Sequence, residues 1–185
     1  MKKQTTNESG KAVLEGIIFF AGFAIALVVG WVVFPKILFS ESKQPINFSH
    51  AAHQDSSCED CHTFRPDGSY TGIPRLENCK QCHESQMGQS EDERILVEEY
   101  IQSEKEIPWR VYTAQPDNVY FSHAAHKAKN VACTECHRDV AKEQKNPLYK
   151  ENRLTGYSSE VMKMDVCEKC HAKHETSNNC EICHK

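Results

Sequence analysis

The first pattern along the chain is an apolar run near its N-terminus. Residues 16–34 are nineteen residues without a charge. At ~1.5 Å per residue, a helix of this length spans roughly the ~30 Å hydrocarbon core of a bilayer. The run therefore predicts one transmembrane helix, residues 16–36, after a short N-terminal stretch, residues 1–15.

A cleaved signal peptide is the alternative reading of this run. The apolar region of a signal peptide is usually ~7–15 residues long and is followed by a small-residue cleavage site. This run is longer, it continues towards Phe39, and no Ala-x-Ala follows it. A retained anchor is favoured. Lys2, Lys3 and Lys11 precede it, so the positive-inside rule places the N-terminus in the cytoplasm and everything after Pro35 outside it.

The second pattern is an acidic, amphipathic segment, residues 90–104. Ser90 is a plausible N-cap and Glu93 stands at the third helical position, as in a capping box. The residues that supply the apolar face are Ile95, Leu96 and Tyr100, with Val97 and Ile101 beside them. A short helix is therefore predicted within a linker, residues 89–118.

A repeated hexapeptide divides the rest of the chain. Phe-Ser-His-Ala-Ala-His occurs at residues 48–53 and again at residues 121–126. Self-similarity of this kind indicates repeated structural units. Two modules are predicted, residues 37–88 and residues 119–185.

The pattern of cysteines is the strongest indication of the chemistry of this chain. The chain has ten cysteines and ten histidines, and every cysteine belongs to a Cys-x-x-Cys-His motif. The five motifs are Cys58-Cys61-His62, Cys79-Cys82-His83, Cys133-Cys136-His137, Cys167-Cys170-His171 and Cys180-Cys183-His184. This motif is the attachment signal for c-type haem: two thiols form thioethers and the adjacent imidazole is the proximal iron ligand. Five covalently bound haem c groups are predicted, two in the first module and three in the second.

Two other uses of cysteine are disfavoured. Structural zinc takes Cys-x-x-Cys units in pairs, and five units leave one unpaired. A disulfide framework suits an exported chain, but neither it nor zinc requires a histidine directly after each second cysteine.

Five haems in so short a chain also predict the fold class. Residues 36–185 allow 30 residues for each haem, so much of the buried apolar surface must be porphyrin. The expected architecture is mostly α-helical and irregular, with one N-terminal transmembrane helix and little β-sheet.

The remaining histidines match the haems in number. They are His50, His53, His123, His126 and His174, one for the distal side of each iron. Four of them lie in the repeated hexapeptides. For the fifth distal ligand there is an alternative to His174: Met164, which lies three residues before Cys167. A Met/His haem would have the higher potential.

The hexapeptide followed by Cys-x-x-Cys-His resembles the class III multihaem cytochromes, the cytochrome c-three and c-seven group. In that group the first histidine of the pair serves the haem just downstream and the second a later haem. The resemblance implies four pairings: His50 with His62, His53 with His83, His123 with His137, and His126 with His171. The histidine that a c-seven module places before its middle motif is missing here, so the ligand opposite His184 is left as His174 or Met164.

About 150 of the 185 residues are also similar to the membrane-anchored pentahaem subunits of alternative complex III and related quinol reductase complexes. The similarity runs from Ile107-Pro108-Trp109 through residues 116–123 to residues 164–167. It implies a periplasmic electron carrier on the inner (cytoplasmic) membrane, with iron–sulfur and polytopic membrane subunits as partners and a periplasmic electron acceptor.

The sequence is compatible with three functional interpretations. An electron-transfer subunit of a quinol-linked complex is favoured over a self-contained, anchored quinol dehydrogenase, for which only Glu41 offers a carboxylate near residues 36–45. A haem enzyme is disfavoured because the histidines suffice to close all five irons and no Cys-x-x-Cys-Lys motif occurs. The net charge of −4 gives no indication of nucleic-acid binding.

Overall fold

The computed structural model describes residues 5–65 and 72–184 and begins with a long apolar helix. Helix α1 spans Thr5–Val28, a π-helical turn spans Val29–Val33, and α2 spans Phe34–Leu38. The Phe34 N–H donates to the Val29 carbonyl, which carries the helix through the π-helical turn. Pro35 stands in the first turn of α2, directly after the π-helical turn.

This helix is long and apolar enough to cross a membrane. Residues Gly10–Leu38 make up 29 residues, about 43 Å at the α-helical rise. Its apolar side chains are exposed, Trp31 the most at 82%. The predicted anchor, residues 16–36, lies inside it. Lys11 belongs to the helix, whereas Lys2 and Lys3 lie outside the described residues.

The other elements are short. The helices are α3 (Cys58–Cys61), α4 (Leu76–Lys80), α5 (Glu91–Ile95), α6 (His123–Lys127), α7 (Met164–Lys173) and α8 (Cys180–Cys183). A π-helical turn, Leu96–Ile101, continues α5, and 3-10 turns cover His50–His53 and Cys133–Glu135. Strands β1 (Phe39–Ser42) and β2 (Tyr149–Asn152) form a two-stranded sheet. The expected fold class, mostly helical and irregular with little sheet, is confirmed.

The chain divides into two compact units. Within the described residues, one unit holds the N-terminal helix through Ser40 together with Asn152–Gly156. The other holds Glu41–Glu151 and the chain from Tyr157 onward. All five Cys-x-x-Cys-His motifs belong to the second unit.

The acidic segment forms the predicted helix and begins after the predicted N-cap residue, but the capping hydrogen bonds are absent. The helical residues run from Glu91 through the π-helical turn that ends at Ile101. Ser90 is the N-cap residue, yet its side chain makes no capping hydrogen bond. The capping box is therefore wrong, because the Glu93 carboxylate has other partners, described below.

A small aliphatic core lies beside this helix. Its members are 4–8% exposed and come from the first module and the linker: Ile46, Leu76, Val97, Ile101 and Ile107. Tyr100 and Trp109 pack against the cluster from its edge. The core gathers positions distant in sequence, so it fastens the linker to the first module.

The second module lacks a comparable cluster. Among its described residues, 119–184, the buried side chains are Tyr149 and Ser158. Tyr149 packs on Tyr112 of the linker, with ring centres 5.8 Å apart, and the Arg138 guanidinium lies 4.9 Å from the centre of the Tyr112 ring. Polar and aromatic contacts to the linker thus take the place of an aliphatic core.

Candidate haem-binding site

Each Cys-x-x-Cys-His motif folds as a helical turn. In four motifs the histidine N–H donates to the carbonyl of the first cysteine at 2.8–2.9 Å, and the fifth motif lies wholly within α7. Positions i, i+3 and i+4 of such a turn share one face. The two thiols and the imidazole of each motif are therefore presented together, as one porphyrin edge and its iron require.

The first hexapeptide is a compact holder for two imidazoles. The Ser49 hydroxyl accepts the Ala52 N–H at 3.2 Å, and the Ser49 carbonyl accepts the His53 Nδ1–H at 2.8 Å. The Phe48 ring stacks on His53 at 4.6 Å and meets His50 edge-on at 4.9 Å. One serine and one phenylalanine thus fix both histidines.

The second hexapeptide has the same geometry. The Ser122 hydroxyl caps the turn through the Ala125 N–H at 3.2 Å, and its carbonyl accepts His126 Nδ1–H at 2.8 Å. Phe121 stacks on His126 and meets His123 edge-on, both at 4.6 Å. Sequence reasoning named the histidines and missed the roles of serine and phenylalanine, although all were repeated together.

Three pairs of imidazole rings face each other with centres 6.1–6.3 Å apart: His53 and His83, His123 and His137, and His126 and His171. A metal–nitrogen bond is about 2 Å long, and with roughly 1.1 Å from nitrogen to ring centre, two imidazoles on opposite sides of an iron have centres ~6.2 Å apart. The spacing fits one iron between the members of each pair.

A fourth pair, His50 and His62, is indicated less directly. Burial lowers the pKa of His50, and His62 is the next-largest cause in the same direction, so the two imidazoles are neighbours. The His50 Nδ1 is buried and has no hydrogen-bond partner within the described chain.

The fifth pair is the one that the structure does not bring together. The described residues place no imidazole ring opposite His184. His174 is exposed at the C-terminal end of α7, and Met164, at the other end of that helix, is 62% exposed. Which of these residues serves His184 stays a prediction.

Most of these histidines are held through Nδ1, which leaves Nε2 free for a metal. Six of them have a visible Nδ1 partner: His53, His62, His126, His171 and His184 have a backbone carbonyl at 2.8–3.2 Å, and His83 has a carboxylate at 2.8 Å. Since the hydrogen bond at one ring nitrogen decides the tautomer, these histidines are prepared as Nε2 ligands.

The carboxylate belongs to Glu93. Its Oε1 accepts from His83 Nδ1 at 2.8 Å and from the Met87 N–H at 2.9 Å, and its Oε2 accepts the Gly88 N–H at 2.8 Å. The Met87 N–H holds the pKa of the Glu93 carboxyl below its usual value, and the Gly88 N–H and His83 act in the same direction. The carboxylate is therefore ionised at neutral pH. Sequence reasoning assigned this residue to a helix cap.

Electrostatic influences indicate which motifs lie near one another. Burial raises the pKa of several thiols, and a cysteine of another motif is the next-largest cause in three of them: Cys61 for Cys79, Cys170 for Cys136, and Cys183 for Cys167. Burial lowers the pKa of His137, and His62 is the next cause. These influences indicate four neighbouring pairs of motifs: second with first, first with third, third with fourth, and fourth with fifth.

Exposed apolar side chains flank the motifs, as surfaces made for a porphyrin should. Val166 directly precedes Cys167, Ile182 lies between Cys180 and Cys183, and each of the two aliphatic side chains is 44% exposed. With the paired imidazoles and the ten thiols, they form a donor set and apolar surface suited to covalently attached haem.

The sequence of this chain is similar to those of known cytochromes. Residues 33–108 match the model of the class III cytochrome c family, and residues 119–185 match that of cytochrome c7 and related cytochromes c. A menaquinone reductase multihaem cytochrome c subunit from Nitratidesulfovibrio vulgaris is 43% identical, and the alignment covers 97% of this chain and 95% of the relative.

Proposed function

The chain belongs to the class III family of multihaem c-type cytochromes, and from this premise we propose that it conducts electrons through five haem c groups as a subunit of a quinone-linked membrane complex. When bound, each haem supplies an iron that accepts and releases one electron. The observation that carries the proposal is the recurrence of imidazole pairs 6.1–6.3 Å apart.

The protein's own residues hold the cofactors and set their properties. The ten cysteines form the thioethers, and the histidine that ends each motif is the proximal ligand. The proposed distal ligands are His50, His53, His123, His126 and His174. Because imidazoles anchored through Nδ1 keep their positions when the charge of the metal changes, little rearrangement accompanies each electron transfer.

Closed coordination favours a conductor over an enzyme. An iron that binds and transforms a substrate needs a free position, and two histidines for each iron leave none. The four neighbouring pairs of motifs would give a path from the second motif, through the first, third and fourth, to the fifth. Electrons would enter at one end of this series and leave at the other.

The partners follow from the relative and from the apolar helix. The relative's name describes a complex that reduces menaquinone. By similarity, electrons here would pass from a periplasmic donor towards a membrane quinone, with iron–sulfur and polytopic membrane subunits between them. This direction differs from the expectation of a periplasmic acceptor, which stays a prediction. The helix Gly10–Leu38 would anchor the chain in the inner membrane, with a cytoplasmic N-terminus and periplasmic haems.

The alternative is a self-contained quinol dehydrogenase without further subunits. Its quinone site would need a proton acceptor at the end of the anchor, for which Glu41 was the available residue. The Glu41 carboxylate forms an ion pair with the Lys150 ammonium at 2.9 Å. The carboxylate on which this alternative depends is therefore engaged by Lys150.

Electron exchange with quinone tests the proposal. The chain would be purified in mild detergent with whatever polypeptides accompany it, and also alone after separation from them. Haem reduced with dithionite should be reoxidised by a menaquinone analogue in the complex and not in the separated chain. Equal reoxidation by the separated chain would support the self-contained dehydrogenase, and no reoxidation in either sample would contradict a quinone link.

The fifth distal ligand has its own test. Replacing His174 by alanine should convert one of five ferric haems from low to high spin, because its iron loses an axial imidazole. Met164→Leu is the matched control at the other end of α7 and should leave the spectrum unchanged. The reverse result would assign the ligand to Met164.

A further inference from the structure

Glu93 is built into the haem site more firmly than a surface carboxylate would be. Its side chain is 12% exposed and that of His83 is 17% exposed. Three donors converge on the two oxygens: the His83 imidazole and the N–H groups of Met87 and Gly88. A carboxylate held by three hydrogen bonds cannot turn away from the imidazole without leaving donors unpaired.

The backbone at residue 88 lies close to the Glu93 carboxylate, so a larger residue there would displace that carboxylate. A Cβ at Gly88 would lie 2.9 Å from Glu93 Oε2. The loop after the second motif, residues 84–90, is thus shaped around the carboxylate. The helix α5 supplies Glu93 from the other side.

This arrangement distinguishes His83 from the other histidines. The five other imidazoles with a visible Nδ1 partner donate to neutral backbone carbonyls. A hydrogen bond to an ionised acceptor is roughly twice as strong as a neutral one. It draws the Nδ1 proton away from the ring and makes Nε2 a stronger donor to a metal. A stronger donor favours the ferric over the ferrous state, because ferric iron carries the additional positive charge.

We propose that Glu93 is a positioning residue that fixes the orientation of His83 and lowers the reduction potential of the haem bound to it. The inference rests on the proposed ligation of iron by His83. It makes the haem at the second motif a site whose potential is set by a protein carboxylate. At the first motif, the visible partner of the His62 Nδ1 is the Gly72 carbonyl at 2.8 Å.

The test is a redox titration of the detergent-solubilised full chain with its haems. In Glu93→Gln the side chain can still accept the His83 Nδ1–H, but the charge is gone. One midpoint should rise, with the ratio of reduced to oxidised haem at a fixed potential increasing about tenfold, or about 59 mV for one electron. The EPR g-values of one low-spin ferric haem should change with it.

Glu99→Gln is the matched control. Glu99 lies in the π-helical turn that follows α5, and its side chain is exposed. The substitution removes the same charge from the same helical segment without touching His83, so all midpoints should stay in place. Midpoints unchanged in Glu93→Gln, or shifted equally in both variants, would overturn the proposal.

A second variant guards against misfolding of Glu93→Gln. Gly88→Ala keeps the carboxylate and displaces it, so a smaller rise of the same midpoint is expected, and its absence would also overturn the proposal. The haem content of the variants distinguishes failure of this proposal from failure of the proposed function. Five haems with unmoved midpoints reject the role of Glu93 alone, whereas a native chain without haem at Cys79 and Cys82 rejects the proposed function.

Discussion

Residues 37–118 contribute five buried aliphatic side chains that pack together, whereas residues 119–184 contribute two buried residues, Tyr149 and Ser158, within the part of the chain that the structure describes. The first half therefore has a core made of protein. The second half holds three of the five motifs and many exposed apolar side chains, so we expect its buried surface to come from porphyrin. Burying apolar area is the main favourable contribution to folding. We therefore expect similar haem motifs to be supported by protein in one module and by cofactor in the next.

The two halves also differ in charge. Residues 37–118 contain 7 lysines and arginines against 15 acidic residues, and residues 119–185 contain 11 against 9. Glu93 is one of these acidic residues, and it accepts a hydrogen bond from His83 of the second motif. The first half thus combines a protein core with an acidic excess, and the second half has neither to the same degree.

Removal of haem should produce the largest difference in stability between the two halves. In a chain produced without haem attachment, amide protons of residues 119–184 should exchange with solvent without protection. Those of the π-helical turn Leu96–Ile101, which packs on the aliphatic core, should retain partial protection. Hydrogen exchange with mass spectrometry measures both. Equal protection in the two halves would show that the first half depends on haem as much as the second.

Truncation of the core should damage the first half next most strongly. Ile101 is 5% exposed, and Ile101→Ala should lower the free energy of unfolding of the haem-loaded chain by about 2–4 kcal/mol, because it leaves a cavity. Denaturant unfolding followed at the haem absorption gives the change. Leu154→Ala, at a 78% exposed position in the second half, is the control and should cost less than about 0.5 kcal/mol. Similar losses at both positions would remove the distinction between the halves.

The phenylalanines of the hexapeptides give a smaller effect. Phe121→Leu should destabilise the haem-loaded chain by about 1.5 kcal/mol through loss of the ring contacts to His123 and His126. It should also broaden the EPR signals of two haems. Phe48→Leu should have the weaker spectroscopic effect, since His83, the ring opposite His53, remains fixed by Glu93. A larger change in Phe48→Leu would mean that the carboxylate does not secure the first module.

Loss of the serine caps of the two hexapeptides should have the smallest effect on stability. Ser122→Ala removes the side-chain acceptor of the Ala125 N–H and should cost about 1 kcal/mol. Ser49→Ala removes the equivalent bond to Ala52. Thermal unfolding of the two variants compares the modules directly. We expect the larger decrease in Tm for Ser122→Ala, because the second module has less protein packing to compensate, and the opposite order would argue against this account.

Much of the candidate site could be predicted because the residues of each haem-attachment motif are contiguous in the sequence. The five motifs, the repeated histidine pairs and the apolar helix each lie in one stretch of sequence, and three of the expected imidazole pairs face each other in the structure. The role of Glu93 was not predictable, since a glutamate three residues after Ser90 fits a capping box equally well. Its actual partner, His83, is brought close by a loop whose path depends on Gly88.

The protein core and the sheet were also beyond the sequence pattern. Ile46, Leu76 and Ile107 do not share a helical or strand period with Val97 and Ile101, so no local window reveals that they pack together. Strands β1 and β2 are four residues each and more than a hundred residues apart. The N-terminal helix was predicted, but its continuation to Leu38 through a π-helical turn was not.

The central claim is that five haem groups are bound covalently to this chain, and intact-protein mass spectrometry tests it most directly. After denaturation and treatment with a thiol-alkylating reagent, the account predicts the mass of the polypeptide plus five haems, with none of the ten cysteines alkylated. A mass with fewer haems and a matching number of alkylated cysteines would contradict it.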